Sequence, residues 1–128
     1  MSDLSTTLTQ QEIQKISQQD NFHIAPFRED GKTFGTLTWI WNVSVNNQLF
    51  VRAYYGKKSR WYQSALKQKA GKISAAGMEK KVRFEPIEGN INEEIDQAYR
   101  KKYAGSPYLN SMISDRSKAA TVQILPGV

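Results

Sequence analysis

Cysteine is absent from this chain and histidine occurs once, as His23. No disulfide framework, thiolate zinc site, iron–sulfur cluster or cysteine nucleophile can therefore be built, and a chain without thiols fits a reducing compartment, the cytoplasm by default. No run approaches the roughly 18 apolar residues of a membrane span, and the polar stretch from Met1 to Gln19 lacks the apolar core of a signal peptide. Glycine and proline are few, at 8 and 4 in 128 residues, against 39% apolar and 11% aromatic residues. That balance excludes a disordered or low-complexity chain, and the length suits a single domain spanning 1–128.

The most informative scarcity is of negative charge. Between Asp30 and Glu79 there is no acidic residue, while Lys32, Arg52, Lys57, Lys58, Arg60, Lys67, Lys69 and Lys72 give that segment a charge of +8 within a chain of net charge +6. The remainder is slightly acidic. Such a concentration predicts an anionic partner, the structural alternative being a solvated basic face that aids solubility.

The chain order predicts helix, three strands, helix, two strands, helix, strand. Thr9 and Glu12 make a capping box after a frayed Ser/Thr-rich lead-in of nine residues, and Ile13 and Ile16 give the first helix an apolar edge. Phe22–Phe27 reads as a strand that Pro26 assigns to a sheet edge. From Phe34 to Val45 the side chains alternate, with Leu37, Trp39, Trp41, Val43 and Val45 on one face of a single long strand. Asn46-Asn47 turns it into Gln48–Tyr55, on which Arg52 shares a face with Phe50 and Tyr54. Ser59 caps a helix from Arg60 that Gly71 ends. Hairpin strands near Lys72–Ala76 and Lys80–Ile87 follow. Asn90 or Asn92 caps the third helix, whose early Glu93, Glu94 and Asp96 and late Arg100, Lys101 and Lys102 match the helix dipole. A closing strand spans Ala120–Leu125. This order predicts an α+β domain whose six mostly antiparallel strands curl into a small barrel with peripheral helices.

Catalysis by protein groups alone is hard to assemble. His23 reads as a hydrogen-bonded residue at a sheet margin, no triad can be nominated, and the dipole explains the carboxylates at the start of the third helix. The chemistry concentrates instead at Gly56-Lys57-Lys58-Ser59-Arg60-Trp61-Tyr62. There a helix N-terminus, with its free N–H groups, is surrounded by two lysines, an arginine and a hydroxyl, which predicts a phosphate cradle. Trp39, Trp41, Tyr54, Tyr55, Trp61 and Tyr62 lie close by in sequence. Most of them should be core, yet a flat phosphate-bearing ligand would use this mixture of walls and cations.

In Thr36-Leu-Thr-Trp-Ile-Trp-Asn-Val, Leu49-Phe-Val-Arg-Ala-Tyr-Tyr-Gly, Ser59-Arg-Trp-Tyr, Tyr99-Arg-Lys-Lys-Tyr-Ala-Gly-Ser-Pro-Tyr and Ala119-Ala-Thr-Val the chain resembles an uncharacterised bacterial domain-of-unknown-function family. More loosely, its layout resembles the split β-barrel proteins that bind flavin mononucleotide (FMN) or a deazaflavin. That resemblance implies that Thr38 and Trp39 border the ring and Arg52 the ribityl or phosphate region. It implies further that Lys57, Lys58, Ser59 and Arg60 hold the phosphate, and that Trp61 walls the site. A homodimer with the cofactor at its seam is implied too, as is a reductase in which the flavin performs the hydride chemistry. Two other readings stay open on the sequence: a non-enzymatic nucleic-acid-binding module built on the basic segment, and a cofactor-free dimeric split barrel.

Overall fold

A computed structural model describes residues 5–127; Met1–Leu4, at the start of the expected frayed lead-in, lie outside the described residues. The elements are α1 (Gln10–Ser17), β1 (Phe22–Pro26), β2 (Thr38–Trp39), β3 (Asn42–Val45), β4 (Gln48–Arg52), a 3-10 turn at Gly56–Lys58, α2 (Arg60–Gln68), β5 (Ala70–Ala75), β6 (Met78–Pro86), α3 (Ile91–Lys102), α4 (Leu109–Met112), α5 (Asp115–Lys118) and β7 (Thr121–Pro126). All seven strands join one antiparallel sheet in the order β2-β1-β5-β6-β7-β4-β3.

That order has a geometric consequence. The two edge strands, β2 and β3, are consecutive in the chain with only Ile40 and Trp41 between them. From Trp39 to Asn42 the chain can reach at most roughly 11 Å, so the sheet must curl until its opposite edges come close. The result is an α+β fold on a curled half-barrel.

The same constraint corrects the expected single strand from Phe34 to Val45. Up to Ile40, whose N–H donates to the Phe22 carbonyl, the segment pairs with β1; from Asn42 it pairs with β4 instead. Ile40 and Trp41 are both buried, which breaks the alternation where the chain changes partners. Upstream of the break Leu37 and Trp39 are 42% and 50% exposed, whereas downstream Trp41, Val43 and Val45 remain buried on one face. The expected six strands therefore become seven.

Other local expectations also shift. Pro26 does not mark a sheet edge, because β1 lies between β2 and β5; it is the last residue of its strand, where the missing N–H does little harm. His23 likewise pairs on both sides, opposite Trp39 and Ser74. Helix α2 ends at Gln68, before Gly71, because its C-cap Lys69 adopts a left-handed φ of 62°. Gly71 serves β5 instead, since a Cβ there would come within 2.4 Å of the Ala25 carbonyl oxygen on β1. The lead-in is tied down from Ser5 onward: Lys81 donates to the Ser5 carbonyl and Gly127 to that of Thr6.

Several devices hold as the residues predict. Thr9 and Glu12 form both halves of the capping box. Asn46 and Asn47 both take positive φ, as a two-residue hairpin turn requires. On β4 the alternation separates two cores. Leu49, Val51 and Ala53 enter the interior of the curl with Ile24, Ile73, Val122 and the apolar faces of α1 and α2. Phe50 joins Trp41, Val43, Ile95, Tyr99 and Met112 on the opposite face, which α3 covers. Arg52 follows Phe50 onto this second face, and there it is fully buried. Among the described residues no helix is long and apolar enough to cross a membrane.

Candidate functional site

Where β2 crosses to β3, the sheet leaves a recess of about 360 Å³ lined by Trp39, Ile40, Trp41, Arg52, Tyr54, Tyr55, Tyr108 and Met112. A second cavity of about 240 Å³ shares Trp39, Ile40, Tyr54 and Tyr55 with it and runs to Thr38, Ser59, Arg60 and Trp61. The two lie side by side with those four residues as common walls, the first lined mainly by aromatic rings and the second reaching the start of α2.

The aromatic walls are fixed rather than loose. Trp39 is half exposed, yet its indole Nε1 donates to the Asp20 carbonyl at 2.8 Å, so its polar atom is satisfied while its ring stays open. Trp41 stacks on Tyr103 with ring centroids 3.8 Å apart and planes 4° from parallel. The Tyr103 hydroxyl in turn donates to Asp20 and accepts from the Asn42 N–H. Tyr54 is held through its carbonyl, which accepts from Arg116 Nε at 3.0 Å and Ser117 Oγ at 3.2 Å, with the Arg116 guanidinium 5.3 Å from its ring centre. Gly56 makes this clamp possible: its φ is +71° and a Cβ would collide with Arg116. Tyr55 and Tyr108, 70% and 57% exposed, stand at the mouth.

At the far end, Ser59 occupies the N-cap position of α2, but its hydroxyl makes no capping bond. The hydroxyl and the first-turn amides of α2, which no helix satisfies internally, are thus available beside the exposed Arg60. Lys57 and Lys58 lie on the preceding 3-10 turn, exposed and outside the residues lining the cleft. Thr38, Trp39, Ser59, Arg60 and Trp61 therefore come together, with Arg52 in the adjoining recess and the two lysines apart.

Arg52 itself is fully engaged by protein. A guanidinium has five N–H donors, and here Nε donates to Thr121 Oγ1 at 2.9 Å, Nη1 to Asp96 Oδ1 and the Met112 carbonyl, and Nη2 to the carbonyl and side-chain oxygens of Asn92. Asp96 also pairs with Lys118 at 2.9 Å. Arg52 thus lends charge to the recess but has no donor left for a ligand. Asp96, explained from sequence by the helix dipole, is instead an inward-facing member of a buried network; Glu93 and Glu94 remain exposed in the first turn. The buried Tyr99 phenol, with the Arg52 guanidinium 5.3 Å from its ring centre, is pushed well above the usual range by desolvation.

Asn92, Asp96 and Tyr108 were not legible as neighbours of this site. The spacing of Asn92, Asp96 and Tyr99 on one face of α3 is the one signal that pointed inward.

Among the described residues no three acidic, histidine or cysteine side chains gather to hold a metal ion. Fold and cleft together define a small α+β half-barrel protein with an aromatic recess leading to a helix N-terminus. The chain belongs to a family described as an uncharacterized protein conserved in bacteria (DUF2255), whose model matches residues 12–124. No curated protein matches it.

Proposed function

We propose that the chain is a cytoplasmic, split-barrel-like protein that binds a planar, phosphate-bearing cofactor of the FMN or deazaflavin type in this cleft and, once loaded, acts as a reductase. One observation carries the reading: the two cavities share Trp39, Tyr54 and Tyr55 as common walls, which sets an aromatic recess beside Ser59, Arg60 and the first turn of α2. Such a cofactor supplies hydride transfer when bound.

The chain's own residues would bind and orient it. Trp39, Trp41 and Tyr54 offer pinned ring faces for stacking, and Thr38 and Trp61 bound the outer compartment. The phosphate falls to Arg60, the Ser59 hydroxyl and the helix amides. Arg52 is not a phosphate ligand in this arrangement, because all its donors are committed; its role is to set a positive charge beneath the ring. Trp39, Tyr55 and Tyr108 leave an exposed aromatic rim on the recess, and a second copy of the chain is the partner proposed to cover it. The visible absorption spectrum of freshly purified protein, followed by mass spectrometry of what heat releases, tests the reading. A flavin or deazaflavin band supports it; a colourless protein that takes up neither cofactor on addition removes it.

A further inference from the structure

Away from the cleft, on the free edge of β3, a third cavity of about 400 Å³ lies between α1 and α3 and is lined by Ser17, Val43, Ser44, Ala98, Lys101 and Lys102. We infer that this edge is a binding site for a small dianionic oxyanion of the phosphate type, held by the Ser44 main-chain N–H, Lys101 and Lys102.

Val45 pairs with Gln48 across the two-residue Asn46-Asn47 turn, so Val45 and Val43 make the ladder bonds to β4, while the N–H and C=O groups of Ser44 and Asn42 point to the open edge. Asn42 bears this out. Its N–H donates to the Tyr103 hydroxyl, and its carbonyl accepts from Lys102 Nζ at 2.7 Å. The Ser44 N–H, in the same phase, has no protein partner among the described residues.

Positive charge converges on that amide. Lys102 Nζ spends two donors on the carbonyls of Asn42 and Gln19, which fixes its position and leaves a third. Among the described residues neither Lys101 nor Lys102 forms a salt bridge. The nearby Asp20 carboxylate accepts from the Tyr103 hydroxyl. Burial lowers the Lys102 amine from its ordinary 10.5 to about 8 although the Asp20 carboxylate acts the other way, so its charge is only partly compensated and a further anion would favour it. The Ser44 hydroxyl donates to Ser17 Oγ at 3.2 Å and Ser17 Oγ to the Gln14 carbonyl, so Ser44 can turn its one proton to an anion only by exchanging that bond.

The ligand class follows from what the edge refuses. An added β-strand would need the edge groups of Asn42, and Lys102 and Tyr103 already occupy them. A compact anion needs only the Ser44 amide and the two ammonium groups, and a charge of −2 matches theirs.

The test is a titration of ¹⁵N-labelled protein with inorganic phosphate at pH 7 and constant ionic strength, with acetate as the monoanionic comparison. The expected result is a saturable downfield shift of the Ser44 amide, weaker with acetate. Lys102→Met should weaken the response about tenfold, the loss of one charge-assisted hydrogen bond. Lys101→Ala removes an exposed side chain, so the fold survives even if Lys102→Met does not, and it too should weaken the response several-fold. Shifts at Arg60 and Trp61 report the cleft separately, so neither site's failure is mistaken for the other's. A Ser44 amide that does not move, or a response unchanged in Lys101→Ala, overturns the inference.

Discussion

Asp96 on α3 and Arg52 on β4, 44 positions apart in sequence, form a buried ion pair with Nη1 and Oδ1 at 2.5 Å. Through it the helix outside the sheet is tied to the strand that floors the cleft. Removing one partner leaves an uncompensated buried charge, so Asp96→Ala or Arg52→Met should each cost about 3–5 kcal/mol. The double variant should cost less than the sum of the two. Urea denaturation of all four proteins checks this, and additive losses would mean that the pair is not coupled.

Trp41 and Arg60 should behave in opposite ways. Trp41 is buried and stacked on Tyr103, so Trp41→Ala should destabilise the fold by about 3–5 kcal/mol. Arg60→Ala, at an exposed helix start, should stay within about 0.5 kcal/mol of the parent while weakening any phosphate-bearing ligand of the cleft. Thermal melts with and without ligand separate the two effects. Equal destabilisation would make Arg60 structural.

Lys102 gives stability a pH dependence. Its amine falls to about 8 in the folded chain from 10.5, so between those values the unfolded chain binds the extra proton and stability rises with pH. Below pH 8 the penalty is fully present. Above about pH 10 the sign reverses, because the Tyr99 and Tyr103 phenols are both raised in the fold and keep protons that the unfolded chain loses. Denaturation midpoints should therefore climb from pH 7.5 to about 9.5, and the climb should vanish in Lys102→Met. A flat profile in the parent would contradict the placement of this side chain.

Salt separates cofactor binding from nucleic-acid binding. A nucleic-acid surface that used Lys57, Lys58 and their neighbours would show log affinity falling with log salt at a slope of about −0.9 per duplex phosphate contacted, or about −0.7 on single strands. A cofactor phosphate partly enclosed by Ser59, Arg60 and helix amides should respond only modestly. Fluorescence anisotropy with a labelled oligonucleotide should find weak binding that disappears at physiological salt. Tight binding with a slope of several units would favour the nucleic-acid reading.

The parts of the fold that depend on neighbouring residues could be read from the sequence. The Thr9/Glu12 box, the Asn46-Asn47 turn and the start of α2 at Arg60 each rest on a few adjacent side chains. So does the grouping of Thr38, Trp39, Ser59, Arg60 and Trp61, since both segments flank one hairpin. That the sheet curls was expected from the strand order, but the way its edges are joined was not legible: an unbroken alternation from Phe34 to Val45 gives no sign that the chain changes partners at Ile40-Trp41. Nor was the fate of Arg52. Alternation put it on the face of Phe50, but its partners Asn92, Asp96, Met112 and Thr121 come from later elements, and the dipole already accounted for an acidic residue early in α3.

The central claim, that the cleft joins an aromatic recess to a phosphate cradle, is tested most directly by comparing FMN with riboflavin in one calorimetric titration series on the parent protein and Arg60→Ala. FMN should bind the parent more tightly than riboflavin does, stabilising it by about 2.7 kcal/mol at 100 times the dissociation constant, and Arg60→Ala should remove most of the difference. Equal affinity for the two ligands, or no binding of FMN or of a phosphorylated deazaflavin, would contradict it.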